Sequence, residues 1–532
     1  MFVTLSQSQK NKIGLILFLM AISIPLLLFN GTADAFIPKH IARVEEISHI
    51  GGLVEEEGQV IQVPGFYVLG AIITLVSGLA PEELIYFPIQ LIPYAVLFFT
   101  VLYKVSGSSI VASLLTLIQL CSGTTGTAKI FFWPHGIGHL LFFSMLLLIL
   151  ILLVQNRLSK PLIFLAVITG SSLVYISYNL TAMTLLLLAV IMTVLAAFYL
   201  MSLKYNTANS RRHLSSLKTF FILLLILGIV ELGLSKFVYG VFIPTLQAAQ
   251  DLEMSSLDKF LIAYINPELS TTPLSPIMVS YPATISVISG IKYLFIVATV
   301  LIFCIVITNT IVKEKSLDRT SLLVLTVLLM QGLYVVPRLM IGGGFATALW
   351  LPGVLCVALF SGMSKRFRVW AVVVLSVILI CTPLYYCTMD SGGYIDRDEY
   401  QFTSYKAPVH WFFKTNNGDL AVSDELTNDF FILHSLKYSI AYGASGSDYN
   451  AIAQKHKIMP TEDAQVLVQL SEGTLDTKYY ILNQKLTGMS LQNWVIIKSW
   501  RYSNEEINNN DQINKIYDVP LLSVYYPSYY PS

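Results

Sequence analysis

The residues best suited to chemistry stand in three polar intervals separated by long apolar runs. In NGTADAFIPKH, Asp34 and His40 follow the first apolar run, and the acidic triplet Glu55, Glu56 and Glu57 comes later in the same interval. A carboxylate at a membrane surface suits general-base work on a hydroxyl or amide, because partial desolvation raises its pKa toward the working pH. A solvated loop acid or a helix cap is the plainer role for Asp34. In SGTTGTAKIFFWPH, Lys129, Trp133 and His135 stand together, with His139 one helical turn on. Two histidines at i and i+4 share a metal when further ligands join them. No third ligand stands here, so contact with a headgroup or sugar is the better reading for Lys129 and His135, with Trp133 as an interfacial anchor. In YVVPRLMIGGG, Arg338 ends an apolar run. An arginine costs roughly 2.5 to 3.5 kcal/mol at mid-bilayer, so this one is expected to be paired or employed. Its planar fork suits a phosphate, Gly342, Gly343 and Gly344 permit close backbone approach, and snorkelling to the interface is the alternative.

These residues are positioned by membrane-spanning elements. Of the 532 residues, 55% are hydrophobic and only 12% charged, with a mean hydropathy of +0.68, the mix of a polytopic membrane protein. Apolar runs of about 20 residues, the length that crosses a bilayer, recur from residue 13 to residue 387 and then stop. The expected organisation is a membrane module over 1–387 and a soluble domain over 388–532. From Thr388 onward, 11 basic residues face 17 acidic ones. The five cysteines all lie in or beside apolar runs, which excludes a disulfide framework. The first apolar run follows Lys10 and Lys12 and lacks a small-residue cleavage site, so it reads as a retained span.

Sidedness follows from the basic residues, which stay cytoplasmic in short connections. Lys10, Lys12, Lys104, Arg157, Lys160, Lys204, Arg211, Arg212, Lys218, Lys313, Lys315, Arg319, Lys365, Arg366 and Arg368 make up the basic connections. Crossings near 13–29, 84–103, 108–122, 136–154, 161–178, 182–202, 218–236, 287–309, 320–336, 345–361 and 369–387 place all of them on the N-terminal side. That arrangement holds only if PGFYVLGAIITLVSGLA, residues 64–80, does not cross. The reading is therefore about 11 transmembrane helices and a cytoplasmic N-terminus. The first external loop runs from about 30 to 83 with 64–80 as an interfacial or re-entrant helix, further external loops lie at 122–135 and 237–286, and the tail is external. Asn30-Gly-Thr and Asn179-Leu-Thr then match glycosylation acceptors on the outer face. Glu231 and Lys292, near outer ends of spans, are expected to join two helices as an ion pair.

The stretch from Asp34 to Val44, DAFIPKHIARV, followed by PGFYVL (Pro64 to Leu69), resembles the first external loop of GT-C type glycosyltransferases, polytopic enzymes that use polyprenyl-phosphate-linked sugars. YVVPRLMIGGGFATALWLPGVLCVALF is similar to the family's arginine-containing penultimate segment, and KIYDVPLLSVYYP to the close of the external tail in archaeal and bacterial members. The resemblance implies a GT-C-like helical membrane fold. It makes Asp34 the catalytic base, with Glu55, Glu56 and Glu57 as a second acidic group on the same loop. His40, Lys129, His135 and Arg338 become substrate contacts, Arg338 on the donor phosphate. The partners it implies are a polyprenyl-phosphate-linked sugar donor and a lipid, glycan or protein acceptor in a cell membrane, with no nucleic acid. The oligosaccharyltransferase branch carries further acidic metal ligands in its external loops. None stand at 122–135, which leaves a divalent cation open.

The tail alternates short strand-like and helix-like stretches: AVSDE, TNDFFILHSLKYSIAYG, TEDAQVLVQLSE, KYYILN, NWVIIKSW and LLSVYY. It reads as a C-terminal external α/β domain without a phosphate loop or nucleophile elbow, suited to acceptor recognition or capping of the site. Tyr525, Tyr526, Tyr529 and Tyr530 offer a stacking surface or an interfacial aromatic patch. Beside the glycosyltransferase reading stands a lipid or glycan transporter or flippase, a class that shows internal repeats and mid-membrane polar sites. No convincing repeat is present, and the candidate charges gather toward outer ends of spans. A non-catalytic scaffold ranks last.

Overall fold

In a computed structural model of the chain, the described residues are 6–28, 37–50, 64–86, 89–121, 134–154, 159–205, 210–234, 283–314, 316–340, 345–391, 411–412, 414–415, 421–423, 458–460, 479–483, 513–518 and 522–527. Among them are thirteen α-helices: α1 (Gln7–Leu28), α2 (Ile37–Ile50), α3 (Gly65–Ser77), α4 (Leu91–Ser106), α5 (Ser109–Cys121), α6 (Pro134–Val154), α7 (Lys160–Ile176), α8 (Tyr178–Lys204), α9 (Ser210–Leu234), α10 (Ala283–Glu314), α11 (Arg319–Met340), α12 (Phe345–Gly362) and α13 (Lys365–Ser391). Six of them, α1, α6, α8, α9, α10 and α13, are long and apolar enough to cross a membrane. Shorter apolar helices α4, α5, α7, α11 and α12 stand where the other crossings are expected. Leu15, Phe164, Leu200, Leu294 and Ile380 are exposed although large and apolar, a surface that suits lipid and not water. The chain is a multi-pass helical membrane protein.

The expected crossing at 84–103 begins later, at Leu91. A 3₁₀ turn occupies Pro81–Tyr86, where Glu83 accepts a hydrogen bond from the Ala80 N–H at 2.8 Å. Pro93 is tolerated in the first turn of α4.

Close contacts at small residues set how the helices align. A Cβ added to Gly14 of α1 would lie 2.6 Å from Ser109 Cβ at the start of α5. Ser113 Oγ donates to the Gly14 carbonyl at 2.7 Å, and Ser109 Oγ to the Lys10 carbonyl at 3.3 Å. The two helices therefore run parallel with their starts together. Gly107, at φ 66°, ends α4 with a bond from its N–H to the Tyr103 carbonyl, a left-handed cap that glycine adopts freely. A Cβ on Gly362, the last residue of α12, would stand 2.9 Å from the Ser106 carbonyl oxygen. The starts of α1, α5 and α13 and the ends of α4 and α12 thus share one end of the bundle, which carries Lys10, Lys12, Lys104 and Lys365.

The opposite end holds α2 and α3. Val44 of α2, Phe66 of α3, Leu84, Ile137 at the start of α6 and Ile176 at the end of α7 form one buried cluster. Gly65 approaches Tyr175 so closely that an added Cβ would meet its Cβ at 2.9 Å. Leu79, just beyond α3, packs on the same cluster, so both ends of α3 sit at one end of the bundle. Thirteen residues reach about 20 Å, short of the roughly 30 Å hydrocarbon layer, and Gly78 at φ 72° closes the helix. Phe66, Gly70 and Ala71 face the protein while Val68, Ile72, Leu75 and Val76 are exposed. The helix is thus apolar on both faces and packed by both its ends on one end of the bundle.

The tail contributes a five-stranded mixed sheet, β1 (Ala421–Ser423), β2 (Ile458–Pro460), β3 (Tyr479–Asn483), β4 (Ile513–Asp518) and β5 (Leu522–Pro527), in the order β2-β1-β3-β5-β4. β1 pairs in parallel with β2 and β3, and β5 antiparallel with β3 and β4. AVSDE, KYYILN and LLSVYY contribute three of these strands, whereas NWVIIKSW and the two expected tail helices lie outside the described residues. Phe412, beyond the expected domain boundary at 387, is buried in the bundle's hydrophobic cluster with Trp411 packed against it.

A labelling experiment tests the placement of α3. With the five native cysteines replaced, Pro64→Cys and Ser77→Cys should react with a membrane-impermeant maleimide from the same side, and Lys104→Cys from the other. Labelling of positions 64 and 77 from opposite sides would make α3 a crossing.

Candidate functional site

The end of the bundle that carries α2 and α3 gathers the polar groups. On α2, Ile41 and Val44 face inward and carry Glu45 and Glu46 into burial with them. Arg43 Nη1 donates to Glu46 Oε2 at 2.8 Å, an i,i+3 pair whose carboxylate is almost fully enclosed. Glu45 Oε1 lies 3.0 Å from His49 Nε2 one turn further on. A buried carboxylate is stable only when paired or hydrogen-bonded, and these pairs hold two acids inside the α2–α3 layer.

His40 is half-buried. Its Nδ1 lies 3.1 Å from the Tyr67 hydroxyl on α3, and its ring stacks on Tyr67 and meets Phe66 edge-on. When the phenol donates to Nδ1, the ring proton resides on Nε2. The sequence marks His40 as a candidate; its partner Tyr67, 27 residues away, is visible only in the fold.

A second group joins four helices at this same end. Gln119 of α5 donates through Nε2 to the Tyr94 hydroxyl of α4 at 3.1 Å and accepts from Trp350 Nε1 of α12 at 2.6 Å. Lys292 of α10 places its Nζ 5.1 Å from the Trp350 ring and 5.2 Å from Tyr293, the geometry of a cation–π contact. Lys292 is buried, as is Glu231 on α9. Gln90, at the N-cap of α4, is fully buried, and among the described residues neither of its amide atoms has a hydrogen-bond partner. The amides interrupting apolar runs, Gln90 before LIPYAV and Gln119 within LLTLIQL, are the one sequence signal that marks these positions.

The other sequence candidates distribute as follows. Asp34, Glu55, Glu56, Glu57 and Lys129 lie outside the described residues. His135 falls in the first turn of α6, and Arg338 in the last turn of α11. Only four residues separate α11 from α12, whose start carries Trp350, so the backbones of His135 and Arg338 both belong to the α2–α3 end. Among the described residues no three His, Cys, Asp or Glu side chains gather as a metal site.

No family model matches the sequence, and no curated protein does. Among solved structures, the crystal structure of the Archaeoglobus fulgidus oligosaccharyltransferase in complex with Zn and sulfate is similar with a TM-score of 0.47 and 14% sequence identity, over 90% of this chain and 68% of that one.

Two glutamines should respond in opposite ways. Gln119→Leu leaves the buried Trp350 N–H without an acceptor and should lower unfolding stability in detergent by about 1 to 3 kcal/mol. Gln90→Leu removes an unpartnered buried amide and should raise stability by a similar amount. If activity falls in the stabilised Gln90→Leu protein, the amide serves a ligand.

Proposed function

We propose that the protein is a membrane glycosyltransferase that moves a sugar from a polyprenyl-phosphate-linked donor to a lipid, glycan or protein acceptor. It would cross the membrane eleven times, with the N-terminus cytoplasmic and the tail domain external. What supports this reading is the α2–α3 layer: two short helices packed on the end of the bundle opposite the basic connections, with acids and the His40–Tyr67 pair, where a lipid-borne substrate would arrive from the side. The resemblance of Asp34 to Val44 and Pro64 to Leu69 to the first external loop of GT-C enzymes supports the same assignment.

In this mechanism Asp34, three residues ahead of α2, takes the proton of the acceptor hydroxyl or amide. The acceptor attacks the sugar's anomeric carbon from the face opposite the phosphate, the bond from that carbon to the phosphate oxygen breaks, and configuration inverts. The departing phosphate gains negative charge as the bond lengthens. Cationic groups aimed at it therefore stabilise the transition state more than the bound donor. Arg338, with Lys129, would supply that charge. Glu56 and Glu57 form the second acidic group, and His40 and His135 contact substrate. The positive-inside rule sets the orientation, since Lys10, Lys104, Lys160 and Lys365 lie on the other side.

The direct test is transfer of labelled sugar from a polyprenyl-phosphate donor to a membrane extract by purified protein. Asp34→Asn should lower the rate at least about 100-fold while donor binding persists. Arg338→Ala should lose donor binding as well. Activity surviving Asp34→Asn would move the base to Glu55, Glu56 or Glu57. Movement of lipid across vesicles without any transfer would put a flippase in place of the enzyme.

A further inference from the structure

At the basic end, three segments distant in sequence meet at one corner. Lys10 and Lys12 lie on the first turns of α1, Lys104 on the last turn of α4, and Lys365, Arg366 and Arg368 on the first turn of α13. Packing brings them together: Ser109 Oγ reaches the Lys10 carbonyl, and Gly362 presses on the Ser106 carbonyl, two residues from Lys104 and three from Lys365. All six side chains are exposed. The ion pairs among the described residues are at the opposite end, on α2, and the first turns of α1, α5 and α13 contain no acid. Arg368 donates to the Met363 carbonyl at 3.4 Å. At this end of the bundle the described acids are Glu314, exposed on the last turn of α10, and Asp318, which accepts from the Thr320 and Ser321 N–H groups.

From this corner an aromatic ladder runs toward the bilayer interior between α1 and α4. Tyr103, exposed, stacks on Phe99 at 6.0 Å with rings nearly parallel, and Phe99 lies 4.9 Å from Phe18. Leu15, Ile16 and Leu19 of α1 and Val369 and Val372 of α13 are exposed. Cations above an apolar strip match a molecule with an anionic head and a hydrocarbon tail.

We propose that this corner is a binding site for a phosphate-bearing anionic phospholipid of the leaflet on the basic side. Its headgroup would lie among Lys10, Lys104, Lys365 and Arg366, and one acyl chain along Phe18, Phe99 and Tyr103. Lysine supplies point charge and arginine a bidentate fork for the phosphate, and anionic headgroups attract clustered cations next to a transmembrane helix. The site is independent of the glycosyltransferase reading, whose groups lie at the other end.

Native mass spectrometry of protein reconstituted with equal phosphatidylglycerol and phosphatidylcholine tests the proposal. Wild type should retain phosphatidylglycerol preferentially, and each neutralised cation should weaken retention about fivefold, so Lys104→Gln/Arg366→Gln should lose most of it while remaining folded and correctly oriented. Lys160→Gln/Lys218→Gln, two exposed cations on other helices, should keep it. Equal loss in both double variants would reduce the effect to general surface charge and overturn the site. Tyr103→Ala should weaken phosphatidylglycerol retention. Displacement of the lipid by glycerol phosphate at equal concentration would show that a free phosphate suffices, and would overturn the lipid assignment.

Discussion

The hydrocarbon layer governs this molecule. No water is available inside it to bond an open backbone group, so each crossing segment must close its own hydrogen bonds as a helix, and a charge must reach an end or find a partner. Long apolar helices with cations toward their ends follow directly. So does the treatment of α3, which is as apolar as its neighbours yet capped by Gly78 after thirteen residues and packed on one end only.

Within the layer, apolar contact with a neighbouring helix replaces apolar contact with lipid, so burial alone does not bring helices together. Close approach at small residues does. Gly14 against Ser109, Gly170 against Leu227, Gly353 against Ile296 and Gly362 against Ser106 are positions where a methyl group would collide. These contacts fix the relative heights of the helices, and thereby which loops share a face. The bonds from Tyr94 through Gln119 to Trp350 tie α4, α5 and α12 at the α2–α3 end. A rim bonded in this way is a rigid frame, the property a site needs to hold reacting groups in register.

The two ends consequently differ in chemistry. Among the described residues, one carries exposed lysines and arginines; the other holds acids buried in pairs, a histidine bonded to a phenol, and an amide without a hydrogen-bond partner. Sequence reading located the apolar runs and the clustered cations because each depends on local composition: length, hydropathy and charge within about twenty residues. It singled out His40 for the same reason, since a histidine beside a span stands out. Glu45 and Glu46 escaped notice because their burial depends on α2 packing its Ile41–Val44 face against α3 and the ends of α6 and α7. The start of α4 was placed seven residues early because the turn at Pro81–Tyr86 is itself apolar in part and hydropathy averages across it.

The sequence by itself determined that this is a multi-pass membrane protein and which stretches are apolar enough to enter the bilayer, since partitioning depends on residue type and local order. Only the tertiary structure decided what those segments bring together. The His40–Tyr67 contact, the Gln119 bridge between Tyr94 and Trp350, and the meeting of Lys10, Lys104 and Lys365 at one corner join residues 25 to more than 200 positions apart. Such pairings depend on helix packing geometry, which is fixed by the fit of small residues against neighbours, a quantity no local window contains.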